Sequence, residues 1–158
     1  MTQRVAILIG TMTGTAEMVA EEVAETLKGR GIESELKMME DLDPAVFHSG
    51  DTFLICTSTY GQGDIPDNGR DFFAAIEAAQ PDLSDVRYGV IGLGDSTYSQ
   101  TFCFGGKRFD ALLQKLGARR VGEPFLHDAA EGSLPEEEAV GWAEGWAEHL
   151  PQACEAAA

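Results

Sequence analysis

The chain has 158 residues, 44% hydrophobic and 24% charged, which suits one globular domain large enough to bury a proper core. Its 27 acidic residues against 11 basic ones give a formal net charge of −16, which disfavours nucleic acid and anionic lipid as partners over most of the surface. The longest apolar runs, such as Val5 to Ile9, are too short to cross a bilayer, and the first residues lack a signal-peptide pattern. Cys56, Cys103 and Cys154 are odd in number and widely spaced, so neither a disulfide framework nor a zinc site is expected. These features predict a reducing cytoplasm, with no membrane and no metal. The acidic excess has two readings, solubility or steering toward a partner with a basic face.

Arg4 to Gly10 is a continuous apolar run, the pattern of a parallel strand buried on both faces. Three threonines and a glycine follow, Thr11 to Thr15, and then an amphipathic helix with Val19, Val23 and Leu27 four apart. A hydroxyl-rich turn entering a helix N-terminus can hold an anion, although a threonine there is also an ordinary helix cap. Lys28 to Gly31 supplies a cationic C-terminus and a glycine stop. Ile32 to Met38 alternates, with Leu36 and Met38 opposite Glu33, Glu35 and Lys37, which predicts an edge strand. Asp41 to Gly50 reads as a loop with one helical turn, and Thr52 to Cys56 as a central strand.

Asp67 or Asn68 is placed to cap the next helix, with Phe72, Phe73 and Ile76 inward. Pro81 to Asp85 connects to a buried strand, Tyr88 to Leu93, interrupted by Gly89 and Gly92. A helix after Gly105-Gly106 buries Phe109, Leu112, Leu113 and Leu116 and stops at Gly117. Val121 to Leu126 reads as the last strand. Glu136 to Leu150 reads as the last helix, with Ala139, Ala143 and Leu150 inward, followed by a frayed tail. The expected domain is therefore 1–150, with 151–158 as tail.

Five strands alternating with helices predict an α/β protein with an open, parallel, doubly wound sheet. Ligands of such sheets sit beyond the carboxyl ends of the strands, so the loops there should be chemically unusual. They are. Thr57 to Asn68 (T-S-T-Y-G-Q-G-D-I-P-D-N) and Gly92 to Gly106 (G-L-G-D-S-T-Y-S-Q-T-F-C-F-G-G) are long, rich in hydroxyls and glycine, and free of lysine and arginine. Each carries a tyrosine, and two tyrosines from adjacent loops can sandwich a flat aromatic ligand.

With T-M-T-G-T-A-E after the first strand, these motifs resemble the flavodoxin family, in its short-chain, MioC-like form and in the FMN domains of diflavin reductases. The resemblance runs from Val5 to about Leu150. It lacks the insertion that splits the last strand of long-chain members. It implies a three-layer α/β/α fold, a five-stranded parallel sheet in the order 2-1-3-4-5, and flavin mononucleotide (FMN) as cofactor. By the same resemblance Thr11, Met12, Thr13, Gly14, Thr15 and Ala16 wrap the phosphate, Ala16 standing where many members have a second threonine. Thr57, Ser58 and Thr59 reach the phosphate or ribityl chain, and Tyr60 and Tyr98 stack on the ring. Gly61-Gln62 carries the peptide that turns on reduction, and Gly63 belongs to the same implied cofactor-binding set. Asp95 and Cys103 border the pyrimidine edge, and Leu93, Gly94, Phe102 and Phe104 complete the implied cofactor-binding set.

The function so implied is one-electron transfer through the neutral semiquinone/hydroquinone couple, with no catalytic residue. The donor is an NADPH-dependent flavodoxin or ferredoxin reductase. The acceptor is a haem monooxygenase, radical or biosynthetic enzyme, and the carrier is a monomer. The competing reading is a flavin-dependent quinone or nitro reductase that uses a nicotinamide nucleotide directly. A phosphorelay receiver is excluded because Gly10-Thr11 and Thr57-Ser58 stand where it needs acidic residues. A P-loop enzyme is excluded by the missing lysine, and the dinucleotide fingerprint by Thr97 in place of its third glycine. His48, His127 and His149 lack a nucleophilic partner, Cys56 reads as a small core residue, and Trp142 and Trp146, one turn apart, read as packing. Met12 has either a partner-facing or a simple steric role.

Overall fold

The computed structural model describes residues 4–10, 15–49, 52–57, 67–84, 86–94, 104–128 and 135–148. In chain order β1 (Arg4–Gly10) leads to α1 (Thr15–Gly29) and β2 (Glu33–Met38), and β3 (Thr52–Thr57) to α2 (Asp67–Ala79). β4 (Arg87–Gly94) leads to α3 (Phe104–Lys115), and the short β5 (Arg119–Arg120) and β6 (Phe125–Asp128) to α4 (Pro135–Glu148). Two 3-10 turns follow β2, Met39–Asp41 and Pro44–Ser49, the second lying within Asp41 to Gly50, the segment expected to be a loop with one turn. All pairings are parallel, in the order β2-β1-β3-β4, with β5 and β6 both on the outer edge of β4.

The central strands are apolar on both sides because both sides are covered. Val5, Ile7, Ile9, Leu54, Cys56, Ile91 and Leu93 face α1 and α4. Ala6, Leu8, Phe53, Ile55, Tyr88 and Val90 face α2 and α3, where Phe72 and Phe109 are fully buried. Phe73, expected inward, is half-buried and meets the edge of Phe109 at 5.1 Å. Among the described residues β2 pairs with β1 alone, as expected of an edge strand, and Leu36, on the face opposite Glu33, Glu35 and Lys37, is 40% exposed. α1 ends as its glycines predict. Gly31 takes φ 79°, and the Ile32 and Gly31 amides cap the Leu27 and Lys28 carbonyls. α3 ends the same way at Gly117, with φ 101°.

Three details differ from the sequence reading. α3 starts at Phe104, so Gly105 and Gly106 lie in its first turn rather than before it. α4 starts at Pro135, while Leu150 falls outside the described residues. The last strand is not continuous over Val121 to Leu126. It breaks between β5 and β6, because Gly122 turns to φ 68° and Pro124 has no amide to donate to a ladder.

The break is held from α4. Trp146 Nε1 donates to the Val121 carbonyl at 2.9 Å, and Trp142 Nε1 to the Glu123 carbonyl at 3.0 Å. The two indoles stack at 5.5 Å. Gly89, which seemed to interrupt β4, makes room for one of them: a Cβ there would lie 2.6 Å from Trp146 Nε1. At the amino end of the same strands, Tyr88 Oη donates to Asp110 Oδ1 at 2.5 Å, and Arg120 Nη1 donates to Asp110 Oδ2, joining β4, α3 and β5.

Gly89→Ala should therefore displace Trp146 and cost about 1–3 kcal/mol, as overpacking does in a filled core. Urea denaturation checks this. A loss below about 0.5 kcal/mol would show that the indole is not seated on the glycine.

Candidate functional site

The carboxyl ends of β1 and β3 stop level with one another, and β4 runs two residues further, to Gly94. Gly10 of β1 stands opposite Thr57 of β3, and Thr57 opposite Gly92 of β4. Two glycines at this edge, Gly10 and Gly106, leave little room for a side chain. A Cβ on Gly10 would meet Thr57 Oγ1 at 2.7 Å and Met39 Sδ at 3.0 Å. A Cβ on Gly106, in the first turn of α3, would meet the Gly92 Cα at 3.1 Å, so that helix start lies directly on the backbone of β4.

The first turns of α1, α2 and α3 all open toward this edge, because each helix follows a strand that ends there. Their first amides have no intrahelical acceptor, and the helix dipoles add partial positive charge. Such an edge suits a phosphate without any cation. The connecting segments 11–14, 58–66 and 95–103 contain no lysine or arginine. Arg4, Arg87, Arg119 and Arg120 begin their strands, and Lys28 and Lys115 end their helices, at the opposite edge, whereas Arg70 and Lys107 close the first turns of α2 and α3 on the carboxyl side.

Of the residues expected at the site, Thr15, Ala16, Thr57, Leu93, Gly94 and Phe104 belong to described elements, and all six stand at this edge. Ala16 is fully buried, with its methyl in the core between α1 and the sheet, so its amide rather than its side chain is available to a ligand. That gives a physical reason for alanine here, where a threonine hydroxyl would enter an apolar core. Leu93 is 6% exposed and packs into the same core, which also leaves its backbone. Thr57 is fully buried under Gly10. Thr11, Met12, Thr13, Gly14, Ser58, Thr59, Tyr60, Gly61, Gln62, Gly63, Asp95, Tyr98, Phe102 and Cys103 lie outside the described residues.

Residues 7–142 match the family model for flavodoxin. The chain belongs to the flavodoxin family. Flavodoxin YqcA of Pectobacterium carotovorum is 43% identical over 147 residues, 92% of this chain and 95% of its own. MioC of Escherichia coli K12 is 39% identical over 145 residues, 90% of this chain and 95% of its own. A solved structure of a mutant flavodoxin from Pseudomonas aeruginosa superposes with a TM-score of 0.84 at 36% identity, covering 95% of this chain and all of that one. As a flavodoxin the chain is an electron-transfer protein rather than an enzyme, and membership implies a flavin, typically FMN. The described edge fits that group, because a phosphate needs a close, backbone-lined approach and the glycine row and open helix starts provide one.

Sequence reasoning treated Cys56 as core filling, and the structure gives it a further contact. It is fully buried on β3, and its thiol donates to the Ala16 carbonyl at 3.3 Å, tying the first turn of α1 to the sheet. Burial pushes its pKa up to about 12. Because the folded value lies above the ordinary 9.0, the fold favours the neutral thiol. The associated stability is complete below pH 9 and is lost as pH rises toward 12. Denaturant melts should therefore show stability falling above about pH 9, less steeply in Cys56→Ala. In the native protein at pH 8 Cys56 should resist iodoacetamide, read by peptide mass spectrometry, and react only after unfolding. Rapid native alkylation of that peptide would contradict the buried, protonated thiol.

Proposed function

We propose that this flavodoxin is a low-potential, one-electron FMN carrier, cycling between the neutral semiquinone and hydroquinone levels. In this reading it takes electrons from an NADPH-dependent reductase and delivers them to a redox enzyme with a basic docking face. The observation that carries the proposal is the set of three cation-free segments after β1, β3 and β4, which lead into helix starts whose first amides have no intrahelical acceptor, with Arg70 and Lys107 following only at the end of the first turns of α2 and α3. The amides and hydroxyls from Thr11 to Ala16 hold the phosphate, with Thr57, Ser58 and Thr59 beside the ribityl chain. Tyr60 and Tyr98 enclose the ring, and Asp95 with Cys103 borders its pyrimidine edge through backbone groups.

FMN supplies one- and two-electron chemistry, and the protein sets which step is favourable. Asp64, Asp67 and Asp95 belong to the flavin loops or the helix start beside them, within a chain of net charge −16. At roughly 10 Å and an effective dielectric near 40, each carboxylate opposes an added negative charge by about 0.8 kcal/mol. That is about 35 mV in a one-electron couple, so a few such charges suppress the second reduction. Gly61 adds a peptide that can turn without steric cost and accept a hydrogen bond from the reduced ring. The same acidic surface favours a basic partner, with association weakening as salt rises.

Anaerobic stepwise reduction of the FMN-loaded protein tests the proposal. A blue intermediate should accumulate before full bleaching, and Gly61→Pro should abolish it. NADPH alone should leave the flavin oxidised until a reductase is added. Direct two-electron bleaching by NADPH would sink the carrier reading.

A further inference from the structure

α4 carries three side chains four residues apart, and each grips a successive point on the broken outer strand. Trp146 holds the Val121 carbonyl at 2.9 Å, and Trp142 holds the Glu123 carbonyl at 3.0 Å. One turn further toward the flavin edge, Glu138 Oε2 stands 3.7 Å from Nε2 of the buried His127. Four-residue spacing puts all three on one face of the helix. The helix runs antiparallel to the strand, so the contacts climb from the break to the carboxyl edge. Ring contacts join them: Trp142 lies 6.2 Å from Phe125, and Phe125 lies 6.3 Å from His127.

What this face holds is the support of a flavin loop. β6 pairs with the last turn-free residues of β4, Leu93 opposite His127 and Gly94 opposite Asp128. Segment 95–103 leaves the chain at that point. Because Gly122 and Pro124 break the ladder, β6 does not inherit its position from β5. Its register against β4 rests on its own four ladder pairs, Phe125 to Asp128, and α4 braces it from one face through the connector, Phe125 and His127. The aromatic face is thus placed to set the height and tilt of the β4–β6 edge on which the second ring loop stands.

We propose that Trp142, with Trp146 and Glu138, forms a positioning set for the flavin: it acts through β6 on the loop after β4 and tunes FMN affinity without touching the cofactor. The proposal rests on the reading of the carboxyl edge as an FMN site. It separates two kinds of contact along the same strand pair. The Tyr88–Asp110–Arg120 cluster at the amino end secures the fold, whereas the α4 face secures the cofactor edge.

Trp142→Phe keeps the ring stack and deletes the donor, and the Glu123 carbonyl it frees is at an exposed residue where water can replace the indole. The test titrates FMN into apo-protein for the parent, Trp142→Phe and Tyr88→Phe, and follows flavin fluorescence, the visible absorption band and the apo-protein melting temperature. Trp142→Phe should raise the FMN Kd about threefold to tenfold, the size expected for one lost hydrogen bond, and shift the bound flavin's band. Its apo melting temperature should stay within about 2 °C of the parent. Tyr88→Phe should lower the melting temperature and leave the Kd within about twofold of the parent. An unchanged Kd in Trp142→Phe, or an equal rise in Tyr88→Phe, would overturn the positioning role. Should Trp142→Phe not fold, Glu138→Gln on its exposed side chain repeats the test, and an unchanged Kd there overturns the role equally. A parent that binds no FMN would overturn the underlying site as well, so the two failures are distinguishable.

Discussion

The constraint on which the structure depends is the register of three central parallel strands, β1, β3 and β4. β1, β3 and β4 are apolar on both faces, and each fully buried aliphatic or aromatic side chain contributes about 1.5–3 kcal/mol to holding them in place. A slip of one residue would exchange the two faces of a strand and send core residues to the wrong helices. The pairing of Gly10, Thr57 and Gly92 is therefore enforced by the whole core rather than by contacts at the edge itself. What that edge offers a ligand follows from this: a row with little side-chain bulk, approached by helices whose first amides remain unpaired.

Charge placement builds on the same topology. Parallel strands with returning helices put strand starts and helix ends on one edge, and that is where Arg4, Lys28, Arg87, Lys115, Arg119 and Arg120 stand. Lys28 and Lys115, in the last turns of α1 and α3, are favoured there by the helix dipole. The result is a phosphate-receptive edge made of partial charges on amides, inside a molecule with a large excess of carboxylates. An electron carrier benefits from that arrangement, because anion binding and opposition to further negative charge come from separate sources.

Much of this was legible in the residues. The continuous run from Arg4 to Gly10, the charges on alternate positions of Ile32 to Met38, and the glycine stops at Gly31 and Gly117 each carry a local physical signal, and each element formed where the signal placed it. The contents of the carboxyl-edge loops announced the family for the same reason. What escaped was non-local. Gly89 looked like an interruption, and Trp142 and Trp146 looked like packing, because a glycine's use is visible only beside the ring that fills its space. Gly122 and Pro124 were readable as strand breakers and were passed over in a run of otherwise plausible strand residues, Val121 to Leu126. Leu36 followed the alternating pattern yet ended exposed, since periodicity cannot tell how far a covering helix extends.

The central claim is that cation-free loops, through amides and hydroxyls, recognise the phosphate of FMN. It is tested most directly by calorimetric titration of apo-protein with FMN and, separately, with riboflavin, which shares the ring and ribityl chain but lacks the phosphate. The account predicts one FMN bound per chain and riboflavin weaker by about a hundredfold or more, a difference of about 2.7 kcal/mol assigned to the phosphate. Equal affinity for the two, or no uptake of FMN, would contradict it.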